Sequence, residues 1–152
     1  METKRIKPTF GEWCIVIGLL GLIAAGIRPA ASQAVEEQKL SNLVGRLHEI
    51  RAGIALYKAD HAGLYPGQRH FGGNIDPGLF VQDLTTADGI GKRAYLSLMP
   101  SNPYLEGQVF AGRVFCVNDP LAKPCVGTEA GWWFNAATGQ FCALDSEFHM
   151  QY

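Results

Sequence analysis

Phe10–Pro29 reads FGEWCIVIGLLGLIAAGIRP, and everything downstream depends on what this stretch does. From Trp13 to Ile27 it carries no charge, and Glu12 is the one acid, at its front edge. Lys4, Arg5 and Lys7 precede it, and Arg28-Pro29 closes it. The uncharged part falls short of the ~20 residues a membrane-spanning helix needs. It also fits the apolar region of a signal peptide. The basic flank predicts an N-terminus on the cytoplasmic side, with the remainder outside the inner membrane. A bare carboxylate at bilayer depth costs on the order of 3 kcal/mol on insertion scales, so Glu12 needs a partner, a water path or an edge position. Gly18, Gly21, Ala24, Ala25 and Gly26 permit close helix contact. Pro29 removes one helical hydrogen bond, which predicts a kink or break there.

Beyond Pro29 the chain is expected to form one long helix to about Asp60. Leu40, Leu43, Leu47, Ile50, Ile54 and Tyr57 recur at steps of three and four and make one apolar stripe. His61-Ala62-Gly63, with Pro66 close behind, supplies the stop. The stripe needs an apolar surface to cover, most simply a sheet. A loop follows over 63–91, with a short helix or turn near Leu79–Leu84. Tyr95–Pro103 reads as a short extended piece. Val109–Val117 reads as a strand, and Trp132–Asn135 and Gln140–Leu144 as a hairpin around Ala136-Ala137-Thr138-Gly139. Strand alternation puts Trp132 and Phe134 on one face and Trp133 on the other, as a possible subunit contact or a rim residue. The chain thus divides into a basic leader (1–9), an apolar helix (10–29), an amphipathic helix (30–62) and a globular head (63–152). The fold class is α+β, with the amphipathic helix half packed on a small antiparallel sheet.

The length of 152 residues allows one small domain beside the apolar segment. A net charge of −1, spread along the chain, gives no electrostatic footprint for nucleic acid. Four cysteines show no CxxC spacing and no paired Cys/His cluster, so no metal site is expected. If the chain crosses to an oxidising compartment, disulfides are allowed. Cys116–Cys125 closes a short loop, and Cys116–Cys142 competes, both residues falling on strands expected to be neighbours. Cys14 reads as a small core residue. Asp60, His61, His70 and Asp76 cluster in a loop, and Asp119, Glu129, Asp145 and Glu147 are scattered acids. Neither set has a metal-ligand spacing. No phosphate loop, nucleophile elbow or catalytic triad spacing is present, so no enzyme and no cofactor are expected.

Together these features resemble the type IV pilin and pseudopilin class, the subunits of type IV pili and of the type II secretion filament, in its major-pseudopilin branch. The resemblance rests on the basic leader Lys4-Arg5-Ile6-Lys7, on Glu12 before the apolar run, and on Gly21-Leu22-Ile23-Ala24-Ala25. Pro29, at the family's step from Glu12, closes the run, and the long amphipathic helix follows. Ile50–Pro66, IRAGIALYKADHAGLYP, and Gly131–Ala143, GWWFNAATGQFCA, look like the family's helix-end and terminal-hairpin signatures. The resemblance implies a filament subunit for protein transport or adhesion, assembling through its N-terminal helix with copies of itself. It further implies an inner-membrane assembly platform and a prepilin peptidase as partners. In that setting Glu12, Gly18, Gly21, Ala25 and Pro29 are the assembly residues, and Glu12 neutralises a neighbouring subunit's N-terminal amine. The family's peptidase cuts after glycine, before a residue that is usually phenylalanine and becomes methylated. Aligned on Glu12, this chain has Lys7 and Pro8 at those positions, and its nearest glycine is Gly11.

The expected location is the bacterial inner membrane, single pass with the N-terminus cytoplasmic, and a periplasmic or extracellular filament. Two other readings stand beside this one. Ala30-Ala31-Ser32-Gln33-Ala34 offers small residues for signal-peptide removal near 31–34, leaving a secreted binding domain. Alternatively the chain stays anchored in the inner membrane without joining a filament.

Overall fold

The computed structural model describes residues 10–87 and 93–152, with side chains from residue 32 onward. The expected basic leader at 1–9 lies outside these residues. Helix α1 is Phe10–Asp60 and helix α2 is Pro77–Thr85. Strands β1, Val114–Val117, β2, Trp132–Asn135, and β3, Gln140–Ala143, form a three-stranded sheet in the order β1-β2-β3. Short 3-10 turns occupy Pro103–Leu105 and His149–Gln151. The chain divides into two compact units, Met1–Gln38 and Lys39–Tyr152. The second, described here as the head, holds the core.

The core follows from the stripe on α1. Leu43, Leu47, Ile50, Ile54 and Tyr57 are buried, and Leu40 packs at their edge. Each fully buried aliphatic side chain contributes about 1.5–3 kcal/mol, so this row is a main stabiliser of a small head. It packs with Val114, Trp132, Phe134, Phe141 and Ala143, which the strand registers put on one sheet face. The helix stops where expected. His61 N–H donates to the Tyr57 carbonyl, Gly63 N–H donates to that of Lys58, and Ala62 takes a left-handed φ of 53°.

Helix α2 stands where the short helix was expected. Asp76 caps it, accepting from the Gly78 and Leu79 amides at 2.8 and 3.1 Å, and Pro77 occupies the first turn. Phe80 and Leu84 are its buried face, and the Phe80 ring lies 5.1 Å from that of Phe134. Asp83 joins three segments through one oxygen, which accepts from Tyr57 Oη at 3.2 Å and from the Gly67 amide at 2.7 Å.

The sheet differs from expectation in direction. Hairpin β2–β3 is antiparallel, with Trp132 opposite Ala143 and Phe134 opposite Phe141. Strand β1, however, runs parallel to β2, with Val114 beside Trp132 and Cys116 beside Phe134. The sheet is therefore mixed, not antiparallel. A parallel pair needs a crossover of a dozen or so residues, and the loop over 118–131 is long enough to bring the chain back to the same end. Strand β1 is also shorter than the expected Val109–Val117. Val109 is 88% exposed, and residues 108–113 turn through Ala111 N–H to the Gln108 carbonyl and Arg113 N–H to the Phe110 carbonyl.

Both sheet faces are covered. The outer face carries Trp133 and Cys142 as a cross-strand pair, packed with Ala130 and Leu144 and overlaid by Val117, Ala122 and Met150. Trp133 is 2% exposed, so it is neither a subunit contact nor a rim residue. The loop and the C-terminal segment supply the cover that strand alternation alone does not reveal.

Two glycines are required by this packing. A Cβ at Gly131 would lie 2.0 Å from the Ala111 carbonyl oxygen, inside the approach that lets the Asn102 amide bond that carbonyl at 2.9 Å. Gly139 closes the β2–β3 turn at φ 76°, a conformation L side chains rarely adopt. Gly131→Ala is therefore expected to destabilise the head by about 1–3 kcal/mol, the usual range for forced overpacking. The measurement is the denaturation midpoint by tryptophan fluorescence; a wild-type midpoint would show that the approach is not needed.

Candidate functional site

The expected assembly residues Glu12, Gly18, Gly21, Ala25 and Pro29 all fall on α1, but their side chains lie outside the described residues. The expected processing positions, Lys7 and Pro8, lie outside them as well. Among the described residues no helix is long and apolar enough to cross a membrane.

The cysteines depart from expectation. Cys116, Cys125 and Cys142 are free thiols. Neither expected bridge forms, and the sheet explains why. β2 lies between β1 and β3, so the strands holding Cys116 and Cys142 are not neighbours. Cys116 aligns with Phe134 and packs on the inner core, whereas Cys142 pairs with Trp133 on the outer face. Cys125 is exposed on the crossover loop, in a groove it shares with Gln140, Glu147 and Met150 on the outer side. The short sequence loop from Cys116 to Cys125 therefore runs from one side of the sheet to the other.

Burial pushes the Cys116 thiol up to about 12, with the Asp76 carboxylate adding to the effect. Burial likewise pushes Cys142 up to about 11, partly offset by the Arg51 charge. Both stay protonated at pH values where thiols of the ordinary 9.0 ionise in the unfolded chain. The unfolded state then holds fewer protons, so this part of the stability is complete below pH 9 and is lost as pH rises above it.

The loop residues Asp60, His61, His70 and Asp76 are not brought together as a site. Asp60 accepts from Tyr95 Oη at 2.9 Å. His61 stacks on Tyr57 with ring centroids 3.8 Å apart, and its Nδ1 lies 2.9 Å from the Tyr57 carbonyl. Asp76 is the α2 cap, and the His70 carbonyl accepts from the Gly73 amide in a turn. Three of the four scattered acids are likewise engaged, and Glu147 lines the groove beside Cys125. Asp119 accepts from the Leu121 amide, Glu129 lies 3.8 Å from Arg113, and Asp145 is paired as described below. No group of three or more potential ligands converges among the described residues.

Two arrangements come from residues that, Asp145 apart, the sequence did not single out for a site. The first is a buried clasp. Asn102 is fully buried, and its side-chain NH₂ donates to the Gly131 carbonyl at 3.1 Å and to Asp145 Oδ1 at 2.7 Å. Its Oδ1 accepts from the Tyr104 amide at 3.0 Å, so its polar groups are used. The other Asp145 oxygen meets His149 Nδ1. The His149 ring packs 4.2 Å from that of Tyr104, which Lys39 overlies at 5.9 Å. The clasp ties the C-terminal segment to the turn before β1. Ser146 Oγ also accepts from the His149 backbone amide at 3.2 Å, which adds to the tie. Residues 102, 145 and 149 carry no local pattern that would have announced it.

The second is a groove between α1 and the β2–β3 turn, lined by Arg51, Lys58, Tyr65 and Gly139. Arg51 and Lys58 stand two helical turns apart on one face of α1. Here it is Gly139 that is distant in sequence, and only the fold makes it their neighbour.

Two measurements follow from these placements. In a Cys14→Ala background, a thiol-alkylating probe at pH 8 is expected to label Cys125 rapidly and Cys116 and Cys142 only on unfolding. Fast labelling of Cys142 in the native chain would contradict its place under Trp133. Asp145→Ala is expected to cost about 1–3 kcal/mol by leaving Asn102 and His149 without their shared partner. A denaturation midpoint equal to wild type would remove the clasp as a stabilising contact. Searches against family models, characterised proteins and solved structures return no match to this chain.

Proposed function

We propose that this chain is a structural subunit of a filament of the type IV pilus or type II secretion pseudopilus kind, and not an enzyme. The observation that carries the reading is α1 itself. The element Phe10–Asp60 contains both the uncharged stretch, with Glu12 and its small residues, and the stripe that builds the head's core. A helix with two such halves suits a subunit that anchors in the inner membrane and then packs its apolar half against copies of itself. Protein neighbours replace lipid there, so a stretch shorter than a comfortable span suffices. A neighbouring positive group gives the Glu12 carboxylate the partner that burial demands. The pilin-like arrangement of head and helix, the periplasmic or extracellular location of the filament, and the roles of the assembly platform and peptidase belong to the same proposal.

A second reading is favoured by one observation. Residues 32–38 are exposed, and the buried core begins at Leu43. Signal-peptide removal near 31–34 would leave every described core residue in place, as a secreted binding domain.

The two readings predict different mature N-termini. Mass spectrometry of the protein from its native host is expected to show Phe10–Pro29 retained; loss of residues 1–34 would defeat the filament reading. Within that reading, Glu12→Leu is expected to abolish or sharply shorten filaments seen by electron microscopy while leaving head stability unchanged. Filaments of normal yield and length would remove the role given to Glu12.

A further inference from the structure

The groove between α1 and the hairpin is rich in donors. Arg51 Nε and Nη2 both donate to the Phe141 carbonyl, at 3.2 and 2.6 Å. A guanidinium has five N–H groups, so the Nη1 pair and one Nη2 hydrogen are not used by that contact. Lys58 Nζ donates to Tyr65 Oη at 2.9 Å and lies 4.3 Å from the Tyr65 ring centroid. Two ammonium hydrogens remain, and the Tyr65 hydroxyl, accepting from Lys58, keeps its own proton to donate. Neither Arg51 nor Lys58 has a carboxylate partner among the described residues.

The space is built to match. The groove has a volume of about 240 Å³, and Ile54 and Ala55 form its apolar floor. Gly139 keeps it open, because a Cβ there would stand 2.6 Å from the Tyr65 hydroxyl oxygen. Two cations beside an apolar floor, with unspent donors and no acid, favour a negatively charged oxygen ligand. The Arg51 fork adds geometric preference for carboxylate or phosphate.

We propose that this groove binds an oxyanion, held by Arg51, Lys58 and the Tyr65 hydroxyl. The inference does not rest on the filament reading, because it uses the head alone. The oxyanion has two sources of the same chemistry: an acidic side chain of a second copy of this chain, or a free phosphate or carboxylate.

The test is a titration of the ¹⁵N-labelled full-length chain with inorganic phosphate and, separately, with acetate, at constant ionic strength. The Arg51 Nε–H signal and the Tyr65 and Gly139 amides are followed. Saturable shifts confined to these groups are expected, weakened about tenfold in Lys58→Met. That variant keeps the Arg51–Phe141 bonds, so it leaves the hairpin clip in place. Shifts that rise linearly without saturation, or that are unchanged in Lys58→Met, would overturn the proposal. Sedimentation then separates the sources. Self-association that phosphate disperses and Lys58→Met prevents assigns the oxyanion to a second copy. Saturable shifts with no change in mass assign it to a free anion.

Discussion

Strands of four residues do not hold a sheet together by their ladders alone. In this chain the missing surface comes from α1. Leu43, Leu47, Ile50, Ile54 and Tyr57 lay a continuous apolar row against Val114, Trp132, Phe134, Phe141 and Ala143. The contact joins residues far apart in sequence, so it exists only in the folded head. Helix α2 fills the remaining side with Phe80 and Leu84. The outer cluster around Trp133 packs on the opposite face of the same sheet.

Polar groups in this core are fixed with similar economy. Trp132 Nε1 donates to the Pro100 carbonyl at 2.8 Å, and Asn135 donates to the Asp119 carbonyl at 2.7 Å. Asn102 and Asp145 meet in the clasp. Each anchors an irregular segment to the sheet, which is how a head with so much loop keeps one conformation. Buried polar side chains of this kind are costly when unpaired, and that cost specifies where the loops must lie.

What the residues revealed in advance divides along physical lines. The stripe on α1, its stop at 61–63, the short helix near Leu79–Leu84 and the β2–β3 turn are local signals, and the fold realises each of them. The direction of β1 was not legible, because alternation reports which residues are buried and carries no information on parallel against antiparallel pairing. The cysteine placements failed for the same reason: nearness in sequence between Cys116 and Cys125 is not nearness across a sheet. The clasp and the groove were hidden because Asn102 and Asp145, or Lys58 and Gly139, become neighbours only after folding. The proposed assembly role of Phe10–Pro29 rests on its residue pattern alone.

The Arg51 guanidinium also bears on how heads can meet. It sits on the Phe141 carbonyl of β3, an outer strand of the sheet, and α2 lies against β1, the other outer strand. An incoming strand at β3 would have to displace a charge from its backbone oxygen. Strand addition, the route by which exposed sheet edges seed indefinite aggregates, is thereby discouraged at that edge. A protein of this design can be packed at high local density while its sheets stay separate, leaving side chains to decide which surfaces adhere.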